Sequence, residues 1–265
     1  MACKIDSRAA IAPGAQLGTN VEIGPFAVVD ENVQIGDGCR IGPHVHLTGW
    51  TTIGANTSIH AGAVIGDEPQ DLHYNGEKSF TVIGDNCTIR EYVTIHRGTE
   101  EGSATRVGNN VLLMALCHLG HNCQIEDDVV IANSTLLAGR VEVGRHAFIS
   151  GACAIHQFVH IGRLAMVGGG NAFGQDVPPF CMLQLGCIHG PNMIGLRRAG
   201  WDEQLRDDVR EAIKIYFFGG LNTPNALAEI RAKVTMHPEI EEFISFIEKT
   251  KRGVMRGHLS KGRTE

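Results

Sequence analysis

Every sixth residue from Ile5 to Phe173 is aliphatic, or Phe at the last step, and only Asp71, Glu77 and Glu101 break the series. The frame runs through Ile11, Leu17, Ile23, Val29, Ile35 and Ile41 to Ile65. It resumes at Ile83, Ile89 and Ile95 and continues from Val107 to Val167. A hexapeptide period sustained over this length predicts a parallel β-helix. Each repeat supplies one short strand and a turn, and its apolar side chain is buried only when neighbouring repeats stack on it. Three such strands close a coil of about eighteen residues, so residues that far apart lie about one strand spacing, ~4.8 Å, from each other.

Two polar, turn-rich stretches replace frame positions: residues 67–82 (DEPQDLHYNGEKSFTV) and 97–106 (RGTEEGSATR). They read as loops ejected from the solenoid. If the first takes the place of two repeats and the second of one, then Ile65, Ile95, Leu119, Leu137, Ile155 and Phe173 share one face. Both loops then leave from one corner. Beyond Asp176 the pattern changes through Val177, Pro178 and Pro179, and helical periodicity takes over from about Asn192. Asp202 and Glu203 mark a helix start that ends near Gly219 and Gly220, Thr223 with Pro224 marks a second, and Pro238 a third. The expected organisation is a solenoid at 1–190 with those two loops, followed by an α-helical domain at 191–265. The domain would close an end whose bare strands otherwise invite edge pairing.

Composition sharpens this picture. A chain of 265 residues with 43% hydrophobic residues, 33 glycines and 6% aromatics suits a narrow aliphatic interior with frequent turns. Net charge of −6 and a pI near 6.1 argue against a general nucleic-acid binder. The basic residues Lys249, Lys251, Arg252, Arg256, Lys261 and Arg263 gather near the end and read first as a solvated tail. Cys3, Cys39, Cys87, Cys117, Cys123 and Cys153 all occupy the inward slot two residues before a frame position, and read as small core groups rather than disulfides. Absence of a signal peptide and of an apolar run of membrane-spanning length leads to the expectation of a cytoplasmic protein without stable membrane insertion.

The register also places chemistry. Gly139 falls one coil above His121 and Gln157 one above Gly139, while His96, Gly120, Ala138 and His156 form the adjoining column. Histidines therefore gather along one edge, beside the loop that carries Asp71 and His73. His44, His46, His60 and His146 fall elsewhere and read as surface or turn residues. Imidazole titrates near neutral pH and serves as a general base, and a glycine N–H beside it suits an oxyanion. Those parts fit acyl transfer from a thioester. Cys117 and Cys123 point inward, so an acceptor attacking directly is expected rather than an acyl-enzyme. Two other readings stay open: a metal site using His96, His118 and His121, as in γ-class carbonic anhydrases, and a scaffold with incidental histidines.

Beyond spacing, QDLHYNGE from Gln70, TIHRGT from Thr94, CHLGHNC from Cys117, LLAGR from Leu136, IHQF from Ile155, MVGGG from Met166, QDVPP from Gln175 and GLRR from Gly195 occur in order. In these motifs the chain resembles the UDP-N-acetylglucosamine 3-O-acyltransferase family of lipid A synthesis, over nearly its whole length. The resemblance implies a left-handed parallel β-helix, a homotrimer with sites between subunits, and no cofactor or metal. It implies transfer of a (3R)-hydroxyacyl chain from acyl carrier protein to the glucosamine 3-OH of UDP-N-acetylglucosamine. His121 matches the family's general base and Gly139 its oxyanion donor. Asp71, His73, His96, His118, His156, Gln157, Asn192 and Arg198 match substrate-binding positions, and Gly169 the floor of the acyl groove. The basic tail, with Arg197 and Arg198, is expected to meet the acidic carrier.

The chain departs from the family pattern at Asn122 (usually Asp), His73 (usually Lys), Arg140 (usually His) and Ala199 (usually Arg), and its stretch Leu185–Pro191 is short. These leave the acceptor open between a 3-hydroxyl and a 3-amino sugar. The related N-acyltransferase of the pathway carries an N-terminal domain for which repeats beginning at Ile5 leave no room.

Overall fold

The structure, a computed structural model, describes residues 2–258. Short strands, most of two residues, stack into three walls of 11, 9 and 8 strands, wound as a left-handed parallel β-helix. The first wall runs from Lys4–Ile5 to Cys187–Pro191, the second from Ala10–Ile11 to Ala172–Phe173, and the third from Gln16–Leu17 to His160–Ile161. Register follows the hexapeptide frame: Lys4 pairs with Glu22, and Gln124 with Glu142. On the second wall Ile65 pairs with Ile95, Ile95 with Leu119, Leu119 with Leu137, Leu137 with Ile155 and Ile155 with Phe173. The two loops thus replace the repeats assigned to them, and both connect the second wall to the third.

Most turns between successive strands have a positive φ at their second residue, as at Asn20, Asn56, Asn86, Asn110 and Asn122. Asparagine tolerates this left-handed conformation better than most side chains, so its recurrence there has a backbone cause. Frame residues from Ile23 upward are buried to 3% exposure or less, Phe173 at the last step reaching 7%. Ile5 is 46% exposed, because no coil lies beneath the first. The eight thiols are free. Cys39, Cys87, Cys117, Cys123 and Cys153 are buried as expected, whereas Cys3, in the terminal coil, is only half-buried.

The helical region comprises α1 (Met193–Arg198), α2 (Glu203–Phe218), α3 (Thr223–Lys233) and α4 (Pro238–Lys249). Asp202 caps α2 by accepting from Leu205 N (2.8 Å), and Asn222 caps α3 by accepting from Asn225 N (3.0 Å). Among the described residues no helix is long and apolar enough to cross a membrane. Sequence periodicity did not announce the antiparallel hairpin Cys181–Gln184 with Cys187–Pro191, which extends the first wall. Its turn places both Leu185 and Gly186 at positive φ, and a leucine there lacks the Asn-Gly signature such hairpins usually carry.

The chain then returns to the solenoid. Asp176 N donates to Gly253 O (2.9 Å), and Ile188 N to Arg256 O (2.7 Å). Arg163 binds Glu242 (2.7 Å) and lies over Phe180 and Trp201. Arg252 Nε donates to Gly174 O (2.6 Å), so this part of the basic tail is a structural clasp rather than a solvated end. Lys261 and Arg263 lie outside the described residues.

Candidate active site

The corner between the second and third walls carries both loops and a cleft of about 860 Å³. Arg97, only 7% exposed, anchors the first loop. It donates to Gly66 O (3.0 Å) and Tyr74 Oη (2.9 Å), and pairs with Glu68 (3.3 Å). A guanidinium this buried is tolerated only because its donors are occupied. The anchored loop presents Asp71, whose Oδ1 accepts from His73 N (3.0 Å) and contacts His73 Nδ1 (3.0 Å), while Oδ2 lies 3.7 Å from His121 Nε2. The hydrogen bonds from His73 hold the Asp71 carboxyl below the usual carboxylate range, with His121 adding to the effect.

The tautomer of His121 follows from its neighbours. Asn122 Oδ1 receives Thr99 N (3.1 Å) and Thr99 Oγ1 (2.9 Å), which fixes that atom as the amide oxygen. His121 Nδ1, 2.9 Å from the same oxygen, must therefore donate, and Nε2 is left with its lone pair free. Nε2 lies against Gly139, where an alanine methyl would overlap the ring. A glycine at 139 is thus required by the imidazole one coil below. The N–H of Gly139 has no acceptor among the described residues.

His96 and His118 line the same cleft with rings edge-to-face, centroids 4.9 Å apart. His118 sits in a strand and His121 in the following turn, and both line this one space. Burial, reinforced by His96, pushes the His118 pKa down to about 4, and burial likewise lowers that of His96. Both imidazoles are neutral hydrogen-bonding groups at pH 7. His118 Nδ1 meets Thr94 Oγ1 (2.7 Å), whereas the buried His96 Nδ1 has no partner. His156 and Gln157 complete the cleft. Among the described residues no three His, Cys, Asp or Glu side chains are grouped to hold a metal ion. Cys123 is buried with its pKa pushed up to about 12 by desolvation, which leaves no thiolate nucleophile there.

Asn192 and Arg198 are not in this cleft. They line a second one, of about 680 Å³, between α1 and the outer side of the first wall, with Phe148, Met166 and Met182. There Asn192 caps α1 by accepting from Gly195 N (3.0 Å) and donates to Leu164 O (2.8 Å). His146, read from the register as a turn histidine, also lines that cleft. Gly169 lies in the turn between the first and second walls, where a Cβ would come 3.2 Å from Gly151 O. Sequence reasoning missed Arg97, Thr99 and Glu100, which sit in or beside the loops where the period gives no register.

Fold and cleft place the molecule among the hexapeptide-repeat transferases. A family model described as bacterial transferase hexapeptide matches residues 32–67 and 104–139. A second, for UDP-N-acetylglucosamine O-acyltransferase domain 2, matches residues 176–255. The chain is 45% identical over 204 residues to an acyl-[acyl-carrier-protein]–UDP-N-acetylglucosamine O-acyltransferase from Synechocystis sp., covering 76% of this chain and 74% of that one. It is 42% identical over 255 residues to the protein of the same description from Anaeromyxobacter dehalogenans, covering 95% and 99%. The crystal structure of a UDP-N-acetylglucosamine acyltransferase from Bacteroides fragilis superposes with a TM-score of 0.93 at 41% identity, covering 95% of this chain and 99% of that one. The chain belongs to the UDP-N-acetylglucosamine O-acyltransferase family. The amide-forming and carbonic-anhydrase alternatives are not favoured by these relatives.

Proposed function

We propose that this enzyme moves a (3R)-hydroxyacyl chain from acyl carrier protein to the 3-OH of UDP-N-acetylglucosamine, the first step of lipid A synthesis, with His121 as general base and Gly139 N–H as oxyanion donor. His121 Nε2 takes the proton of the 3-OH as the oxygen attacks the thioester carbonyl. The displaced electron pair resides on the carbonyl oxygen, held by the Gly139 N–H. Collapse of the tetrahedral intermediate breaks the carbon–sulfur bond, and the imidazolium returns its proton to the leaving thiolate. Asp71, His73, His96, His118, His156 and Gln157 position the two substrates. The observation that carries the reading is the contact of His121 Nδ1 with the Asn122 amide oxygen (2.9 Å), which turns Nε2 directly against Gly139.

Asn192 and Arg198 lie with Met166 on a face remote from the cleft. Their part in binding substrate requires a second copy of the chain, and a cytoplasmic homotrimer supplies it at every site, with Gly169 in the acyl groove and the basic C-terminal region against the carrier. Exposed apolar side chains such as Leu136 and Phe148 support such contacts.

The test supplies purified protein with hydroxyacyl carrier protein and either UDP-N-acetylglucosamine or its 3-amino analogue, and identifies products by mass spectrometry. The 3-O-ester is expected, and His121→Ala should lower kcat by about 10²–10⁴. Full activity in that variant would overturn the assignment of the base.

A further inference from the structure

Asn122 presents a chemical problem that the fold solves in a specific way. An amide beside the imidazole can be turned so that its NH2 faces Nδ1, which would place the proton on Nε2 and disable the base. In the serine-protease triad the corresponding Asp→Asn exchange keeps the geometry and costs ~10⁴ in kcat through the wrong tautomer. Here the second loop holds the amide in the productive orientation. Thr99 supplies two donors to Oδ1 (3.1 and 2.9 Å), and Glu100 Oε2 accepts from Nδ2 (3.3 Å). Glu100 is itself paired to Arg140, whose guanidinium also lies 5.6 Å from the Phe158 ring centre. Arg140 occupies the turn position of Asn122 one coil higher, with its N donating to His121 O (2.8 Å).

The geometry points to Glu100 as a positioning residue for His121, acting through the Asn122 amide. Its carboxylate reinforces the orientation that Thr99 sets and polarises the amide, drawing electron density onto the oxygen that faces Nδ1 and so stabilising the imidazolium formed during proton transfer. The inference rests on His121 being the base. The charges around this imidazole are Asp71 on the Nε2 side, with His73 bonded to it, Glu100 with Arg140 behind Asn122, and Glu77 and Glu101 lining the same cavity from the two loops; His96 and His118 are the nearby imidazoles. Arg140 confines the Glu100 side chain and tempers its charge.

Glu100→Gln keeps an acceptor at this place and removes the charge. Expected are a fall of about 10-fold in kcat, a KM for the nucleotide sugar changed by less than about 2-fold, and an acid limb of the kcat/KM profile moved to lower pH. The effect should reverse with the residue at 122. In an Asn122→Asp background a carboxylate already faces the imidazole and repels Glu100, so Glu100→Gln should leave kcat unchanged or raise it. A purely structural role for Glu100 would give the same loss in both backgrounds. That result, or a wild-type kcat and pH profile for the single variant, overturns the inference. His121→Ala measured alongside separates the two readings, because its inactivity with a silent Glu100→Gln would remove Glu100 alone, while its activity would remove the base.

Discussion

Two corners of the solenoid use one backbone turn for different ends. Where the third wall passes to the first, four coils have the N–H of the leading turn residue taken by a side chain from the next coil: Thr19 N by Asp37 (2.6 Å), Ala55 N by Asp85 (2.7 Å), Asp85 N by Asn109 (2.8 Å) and Asn109 N by Asp127 (2.7 Å). These acceptors lie on the outer surface, so the N–H at this position points out of the coil. Where the second wall passes to the third, the same position holds His121, Gly139 and Gln157, and the Gly139 N–H has no acceptor among the described residues. At these four coils the amide dipoles go into coil-to-coil bonds. The other corner leaves one open beside an imidazole and ejects two loops that shape the ring's surroundings. A repeat therefore becomes a site by setting an open amide beside an imidazole and interrupting its own period, with the scaffold unchanged.

The sharpest way to break this contrast is to exchange a small substitution between corners. Gly139→Ala places a methyl into the imidazole, so kcat should fall by about 10²-fold or more while the melting temperature stays near wild type. Asp127→Ala at the other corner uncaps Asn109 N and should cost about 1 kcal/mol of stability with kcat unchanged. Kinetics and thermal melts of the two purified variants decide this, and equal catalytic losses from both would erase the distinction.

A smaller effect concerns pH. His118 has a folded pKa of about 4 against an ordinary value of 6.5. Between these values the unfolded chain binds a proton that the folded one does not. Stability contributed by keeping this ring neutral is therefore complete above about 6.5, declines as pH falls toward about 4, and changes no further below that. His96 acts in the same direction. His118→Gln should flatten the dependence of melting temperature between pH 7 and 4.5, and an unaltered slope would show that this ring does not carry it.

What could be read from the chain follows the same division. Ile65, Ile95 and Leu119 reveal wall, register and loop corner because solenoid geometry depends on spacing alone, and that spacing is enough to set His121 beneath Gly139. Arg97, Thr99 and Glu100 were hidden, since loop residues obey no period and their partners Tyr74, Asn122 and Arg140 lie across gaps of variable length. The hairpin at Leu185–Gly186 was hidden by a leucine in a left-handed turn. Asn192 and Arg198 join the candidate site by resemblance, and the fold of a single chain sets them in another cleft.

The most direct test of the central claim is a crystal structure of the enzyme with UDP-N-acetylglucosamine bound. The account predicts the sugar 3-oxygen within hydrogen-bonding distance of His121 Nε2, on the side that also faces the Gly139 N–H. A sugar whose 3-oxygen points away from His121, with the imidazole bonded elsewhere, would contradict it.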